Sequence, residues 1–108
     1  MREPELGEVA FWIMTVLAAG RRHGYAVLQE VQDASGGEVV LKPTTLYAAL
    51  ERLTRQGLVS ADGEQVLDGR ARRYFVLTEA GGSRLAREVE ALDVRTRAAR
   101  TRLSARPA

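Results

Sequence analysis

One stretch, Leu41 to Leu58, and the hairpin after it constrain this chain most. Leu46, Ala49, Leu50 and Leu53 recur at the spacing of one helix face. Pro43 suits a first helical position, where no backbone donor is needed, and Gly57 supplies a stop. The pattern predicts a short helix from Pro43. Its outer side carries Thr44, Ala48, Glu51 and Arg55, with Thr45, Tyr47 and Arg52 on its flanks. Alternating residues then predict two strands, roughly Leu58 to Val66 and Ala71 to Leu77. Between them Asp68-Gly69 is a hairpin-turn dipeptide, and Arg70, Arg72 and Arg73 lie just beyond it.

The remaining helices follow from the same signals. A first helix is expected over roughly Pro4 to Ala19, with Pro4 in its first turn and Glu3, Glu5 and Glu8 complementing its dipole. Leu6, Val9, Ala10, Ile13, Val16 and Leu17 share one face, while Phe11, Trp12 and Met14 occupy the others. A helix apolar all round must be covered on more than one side, so the surplus face suggests a subunit interface. A second helix is expected from Gly24 to Ala34, closed by Ser35-Gly36-Gly37. Val39-Val40-Leu41 reads as a small strand or an extended turn. Thr78 caps a last helix in which Leu85, Val89, Leu92, Thr96, Ala99 and Leu103 recur at heptad spacing. That seam outruns what a small domain can cover, and so predicts pairing with a second copy.

Three helices, a hairpin and a long final helix define the expected fold. It is mainly α with a small β-hairpin: a winged helix-turn-helix over 1–78, with a C-terminal dimerisation helix and short tail over 79–108. The winged fold is used mostly to read duplex DNA. With 108 residues there is room for one modest core. Net charge is only +2, so it is the local clustering of Lys42, Arg52, Arg55, Arg70, Arg72 and Arg73 that suits a polyanion. All but one of the 16 basic residues are arginine, which suits phosphate and guanine contacts. The chain has no cysteine and a single histidine, which excludes disulfides, thiol catalysis and zinc fingers and leaves no histidine-based metal cluster. The run from Val9 to Ala19 is too short to span a bilayer, and its acidic flank is wrong for a signal peptide. The expected setting is the cytoplasm, without a membrane partner. No arrangement of nucleophile, base and carboxylate suggests an enzyme, no cofactor is implied, and Glu88 and Glu90 read as surface residues of a charged helix.

Each candidate site residue follows from a requirement of duplex recognition. Reading bases needs short polar or small side chains on the N-terminal half of a groove helix. Thr44, Thr45 and Ala48 meet it. Tyr47 can bond a phosphate through its hydroxyl, and Arg52 and Arg55 can clamp phosphates, though Glu51 four residues before Arg55 also fits plain helix support. An arginine at a hairpin tip can enter a minor groove. Alternation points Arg72 and Arg73 to opposite sides of the strand, so at most one of them shares Arg70's direction; Arg70 and Arg72 are assigned to DNA and Arg73 is left open to a surface ion pair. His23 and Tyr25 open the second helix, where a phosphate contact or an ordinary structural bond is available to them. Phe11 joins the heptad residues in the expected dimer interface, and Trp12 is the weak candidate for an effector pocket, simple dimer packing being the plainer use of its ring. A winged module that binds protein instead of DNA is the rival reading, since fold does not decide function.

A set of short motifs in order carries a family resemblance. They are Leu17-Ala18-Ala19-Gly20, His23-Gly24-Tyr25, Thr45-Leu46-Tyr47 with Leu50, Arg52-Leu53 and Gly57-Leu58, then Gly69-Arg70, Arg73-Tyr74-Phe75 and Leu77-Thr78-Glu79-Ala80-Gly81. Over roughly Val9 to Gly81 the chain resembles the PadR family of transcriptional regulators, in its short form with a single C-terminal helix. The family usually has glycine at the position of Thr44 and proline at that of Ala48, both facing outward where base preference is set. The resemblance implies a dimeric winged-helix repressor, paired through its first and last helices; two-fold symmetry then predicts a pseudo-palindromic operator in double-stranded DNA. It also implies release by a small molecule or another signal.

Overall fold

The structure, a computed structural model, describes residues 3–107. Its elements run α1 (Glu8–Ala18), β1 (Arg22–His23), α2 (Gly24–Ala34), α3 (Pro43–Arg55), β2 (Val59–Leu67), β3 (Arg70–Leu77) and α4 (Glu79–Ser104). The three strands form one antiparallel sheet in the order β1-β3-β2.

The core forms around α1. Ile13 and Met14 have no exposed surface, and Ala10, Val16 and Leu17 are buried beside them. They meet Val27 and Val31 of α2, Leu46, Ala49, Leu50 and Leu53 of α3, and Val59 and Phe75 of the sheet. The four α3 residues are the face its spacing predicts. Met14 corrects the expected surplus face of α1: it lies inside this chain's own core, and only Phe11, Trp12 and Thr15 stay half-buried on that side.

Local signals set the ends of α2 and α3. Leu58 N–H donates to the Leu53 carbonyl (3.0 Å) and Gly57 N–H to the Thr54 carbonyl (3.0 Å), with Gly57 at φ 75°. Gly37 and Gly36 close α2 in the same way on Gln32 and Asp33. Both are Schellman closures, which need a residue at positive φ just past the helix. Val39–Leu41 forms no strand; the segment is irregular, with Val39 N–H bound to the Ser35 hydroxyl at 2.9 Å. Asp68 and Gly69 both have positive φ (52° and 76°), as a two-residue hairpin matched to strand twist requires. A register shift between Ala61 and Glu64 bends β2, and residues 61–70 project from the body as an exposed wing.

The N-terminus departs from expectation. α1 begins at Glu8, not Pro4, and Gly7 is its N-cap. Residues 3–6 lie extended along α4 instead. Arg84 pairs with Glu88 at 3.1 Å and Glu3 at 3.3 Å and also donates to the Pro4 carbonyl. Arg87 holds Glu3 through two 3.0 Å bonds, Arg95 holds Glu5 at 3.1 Å, and Leu6 N–H donates to Glu88 at 3.4 Å. Glu3 and Glu5, read as dipole partners, are thus partners of α4's arginines, while Glu8 does lie in the first turn of α1, where its charge suits the dipole. Glu88, read as a surface residue, is buried with Arg84.

α4 is capped by Thr78, whose hydroxyl accepts from Gly81 N–H (3.0 Å) and donates to the Gly57 carbonyl (2.7 Å). Its 26 residues span about 39 Å. Among the described residues beyond Glu88, only Leu92 is even half-buried. The radius of gyration is 16.4 Å, against about 13 Å for a compact chain of this length; the projecting α4 and wing account for the excess.

Two adjacent glycines test the joint between α4 and the sheet. A Cβ on Gly81 would collide with the Leu58 carbonyl oxygen, a backbone atom, whereas one on Gly82 meets nothing within 4 Å. Gly81→Ala is expected to cost about 2 kcal/mol by overpacking. Gly82→Ala is expected to be neutral or to stabilise by up to about 1 kcal/mol. Urea unfolding of the two variants checks the pair, and equal effects would contradict the close approach.

Candidate nucleic-acid interface

The outer side of α3 is open. Thr44, Thr45, Tyr47, Ala48, Glu51, Arg52 and Arg55 are all exposed, as is Lys42 before them. Thr44, Thr45, Ala48 and Arg52 border a shallow depression shared with Val9 of α1. Glu51 and Arg55 form no ion pair, and neither do Lys42, Arg52, Arg70, Arg72 and Arg73 among the described residues. The basic groups here are therefore without an internal counter-charge, as are Arg97, Arg100 and Arg102 near the end of α4, while Arg84, Arg87 and Arg95 of α4 and Arg21 and Arg22 before α2 are paired internally.

Tyr47 connects α3 to the start of α2. A Cβ on Gly24 would overlap its hydroxyl, so a side chain there would displace the Tyr47 ring. His23 is the N-cap of α2, and its Nδ1 accepts from Ala26 N–H at 3.2 Å. That bond requires an unprotonated Nδ1 and places the ring proton on Nε2. His23 is edge-on to Tyr74 at 5.4 Å and stacked with Tyr25 at 6.5 Å.

The two faces of β3 have different work. Arg72 and Tyr74 lie on the outer face with His23 and Tyr25. The Arg72 guanidinium sits 5.4 Å from the Tyr25 ring, and its Nε is buried with no partner. Arg73 lies on the Phe75 face, with its guanidinium 5.3 Å from that ring. There it looks across a cleft to Tyr47, Glu51 and Arg55 of α3. Alternation separates the two arginines as expected, but the ion pair left open for Arg73 is absent. The strand signal was available: Arg73 shares the face of Phe75 and Leu77, which must turn toward the core and hence toward α3. Arg70 stands exposed at the wing's turn.

Arg21 is a residue the sequence did not single out. Its guanidinium lies 3.9 Å from the Tyr74 ring and pairs with Asp62 at 2.7 Å, while its Nη2 donates to the Asp62 carbonyl at 2.8 Å. It ties the wing's base to the loop before α2. β1 works alongside it, pairing Arg22 with Phe75 and His23 with Tyr74; two residues become a strand only once β3 is beside them.

The residues expected at a subunit interface lie elsewhere, on α1 and α4. Phe11 is half-buried near Leu92, and Trp12 packs on the core with the Phe11 ring edge-on at 5.5 Å. Leu85 packs on the core, whereas Val89 (44% exposed) and Leu103 (64%), with Thr96 and Ala99, face outward. Among the described residues no group of His, Asp and Glu could hold a metal ion, and no helix is long and apolar enough to cross a membrane.

A helix-turn-helix made of α2 and α3, followed by a β2–β3 wing, makes this a winged helix-turn-helix protein. The family model that matches, over residues 13–87, is that of the PadR-like transcriptional regulators. The chain belongs to that family. Transcriptional regulator Rv3488 of Mycobacterium tuberculosis is 37% identical over 93 residues, 86% of this chain and 83% of that one. An uncharacterized protein of Lysinibacillus sphaericus is 30% identical over 78 residues, 72% of each chain. A PadR family regulator from Clostridium difficile R20291 superposes with a TM-score of 0.75 at 23% identity, covering 90% of this chain and 99% of that one. Bacillus subtilis PadR in complex with operator DNA gives 0.66 at 20% identity, covering 75% and 46%. These two likenesses establish the fold.

Burial, and second the charge of Arg72, hold His23 below the ordinary histidine pKa. The unfolded chain therefore takes up the proton first, and the stability His23 provides is present above about pH 6.5 and lost as pH falls through its lower folded value. As His23 is the sole histidine, unfolding free energy between about pH 7 and 5 should decline with acid, and His23→Asn, a cap that does not titrate, should flatten that decline. An unchanged slope in the variant would contradict the capping role.

Proposed function

We propose that this chain is a homodimeric, sequence-specific DNA-binding repressor, released from its operator by a small molecule or another signal. The observation that carries the reading is the exposed, threonine-bearing side of α3, set beside basic groups that have no carboxylate partner. Unpaired arginines on one face suit phosphates, and short side chains at a helix start suit base edges. Membership of a family of transcriptional regulators supports it, as does the likeness to a PadR bound to operator DNA.

In this reading residues 1–78 engage DNA and 79–108 pair the subunits. Thr44, Thr45 and Ala48 read bases; Tyr47, Arg52, Arg55, His23 and Tyr25 hold phosphates. Arg70 enters the minor groove with Arg72 behind it, steadied on Tyr25. The outward Val89, Thr96, Ala99 and Leu103, with Leu85, Leu92 and Phe11, form the dimer seam, and Trp12 lies where an effector could reach it. Two-fold symmetry then sets half-sites one helical turn, about 34 Å, apart.

The discriminating experiment is a gel shift on DNA upstream of the protein's own gene, over a range of salt. If a dimer neutralises roughly six phosphates, log affinity should fall with log salt at a slope of about −5. Arg70→Ala with Arg72→Ala should weaken binding to every duplex and flatten that slope; unchanged binding at fixed salt removes the wing from the interface. Thr44→Ala with Thr45→Ala should instead lose about 1–3 kcal/mol of discrimination between operator and scrambled duplex. Equal losses on both duplexes would contradict base reading.

A further inference from the structure

The wing meets the body at an interruption of its own ladder. β2 pairs with β3 as far as Ala61 opposite Phe75 and resumes only at Glu64 opposite Arg73, so Asp62 and Gly63 have no partner in the strand register. Gly63 stands at φ 84°, and every residue from Ala61 to Arg70 is exposed. A bulge of this kind bends a strand, and the two unpaired residues leave its angle to whatever holds them. Arg21 supplies what the ladder lacks. Its Nε donates to the Asp62 carboxylate at 2.7 Å, and Nε and Nη2 donate to the Asp62 carbonyl at 3.2 and 2.8 Å. The same guanidinium lies against the Tyr74 ring and beside Gly63, where a Cβ would stand 3.6 Å from Nη2. Arg21 is anchored in turn. Its carbonyl accepts from Arg22 Nη1 at 2.9 Å, and Arg22 Nε donates to Glu30 of α2 at 2.8 Å. An unbroken line of bonds thus runs from the helix-turn-helix to the root of the wing.

We propose that Arg21 is a positioning residue for duplex binding, holding Asp62 and Gly63 so that the wing stands at one fixed angle to α3. The proposal rests on the DNA-binding reading above. From bulge to turn the hairpin is about 20 Å long, at about 3.3 Å per residue. A swing of about 15° at the bulge therefore moves Arg70 by about 5 Å, more than the roughly 3.4 Å along the axis between successive phosphates of a strand. A swinging wing would hold Arg70 and Arg72 over their phosphates only part of the time while α3 keeps its register. Stability is not what the contact provides. Both side chains are a third or more exposed (36% and 52%), and exposed pairs contribute little to folding. The arrangement also needs arginine: a planar fork can stack on Tyr74 and serve two oxygens of Asp62 at once, whereas a lysine ammonium offers neither plane nor fork.

The first arm of the test uses the free protein. In the isotope-labelled full chain, residual dipolar couplings of the amides of residues 64–70 should fit one alignment tensor with those of α3. In Arg21→Ala and in Arg21→Lys the wing amides should leave that fit while α2 and α3 keep it, with the urea midpoint little changed. A wing that stays in the fit in Arg21→Ala overturns the clamp. So does Arg21→Lys behaving like the parent, since charge alone then suffices, and so does loss of the α2 and α3 fit, which makes Arg21 a general structural residue. The second arm uses the duplex from upstream of the gene at fixed salt. Both variants should bind it about tenfold more weakly than the parent. In an Arg70→Ala, Arg72→Ala background, read at lower salt, adding Arg21→Ala should change affinity by less than about twofold. An undiminished loss in that background places Arg21 itself on the DNA, and unchanged affinity with a loosened wing removes the positioning role; either overturns the proposal. A parent chain that binds neither the upstream nor a scrambled duplex removes the DNA reading and the positioning role with it, and the first arm then decides alone whether Arg21 holds the wing.

Discussion

Everything in this molecule rests on the burial of α1. Ile13 and Met14 are fully enclosed, and the helix touches α2, α3, β3 and α4. Removing one such side chain typically costs about 2–5 kcal/mol, against a whole stability of about 5–15 kcal/mol for a domain. α1 is the surface against which α3 lays Leu46, Ala49, Leu50 and Leu53. Since a helix has one apolar stripe, seating that stripe on α1 leaves Thr44, Ala48 and Arg55 outside. The exposure of that face is a consequence of core packing.

A second constraint is electrostatic and joins the two ends of the chain. The extended strip 3–6 lies against α4 through Arg84, Arg87 and Arg95, and the Arg84–Glu88 pair is largely shielded from water. Removing one member of such a pair strands the other, which is more damaging than losing a surface bridge. The ladder therefore fixes the angle at which α4 leaves the body. Gly81 and Thr78 fix its origin, the first by a contact no side chain could make, the second by bonding to both Gly81 and Gly57. The helix is thus held firmly at one end and bare at the other.

Where local chemistry decides, the fold was legible in the sequence. α2 and α3 begin and end at the expected residues because Pro43, Gly57 and Ser35-Gly36-Gly37 act within a few positions of themselves. The Asp68-Gly69 turn is as local. What escaped depends on residues far apart in sequence. Pro4 and its glutamates look like a helix start, yet arginines some eighty positions away hold them extended. β1 is two residues long and exists only as Tyr74's and Phe75's partner. Glu88 looks like one more charge on a charged helix until Arg84 and Leu6 enclose it. In the candidate interface the side chains of α3 stand where helical spacing puts them. Arg73's place opposite α3 was also readable, through Phe75, but Arg21's grip on Asp62 and Tyr74 had no local signal at all.

The central claim is that two copies join through α4 so that a pair of α3 helices faces one duplex. Sedimentation equilibrium of the full chain, alongside Leu92→Arg, addresses it most directly. The parent should sediment at twice the 11.9 kDa chain mass, and the variant, which places charge in the middle of the seam, should fall to the mass of one chain. A parent that stays at the mass of one chain up to roughly 100 µM, where a stable dimer would be populated, would contradict the claim.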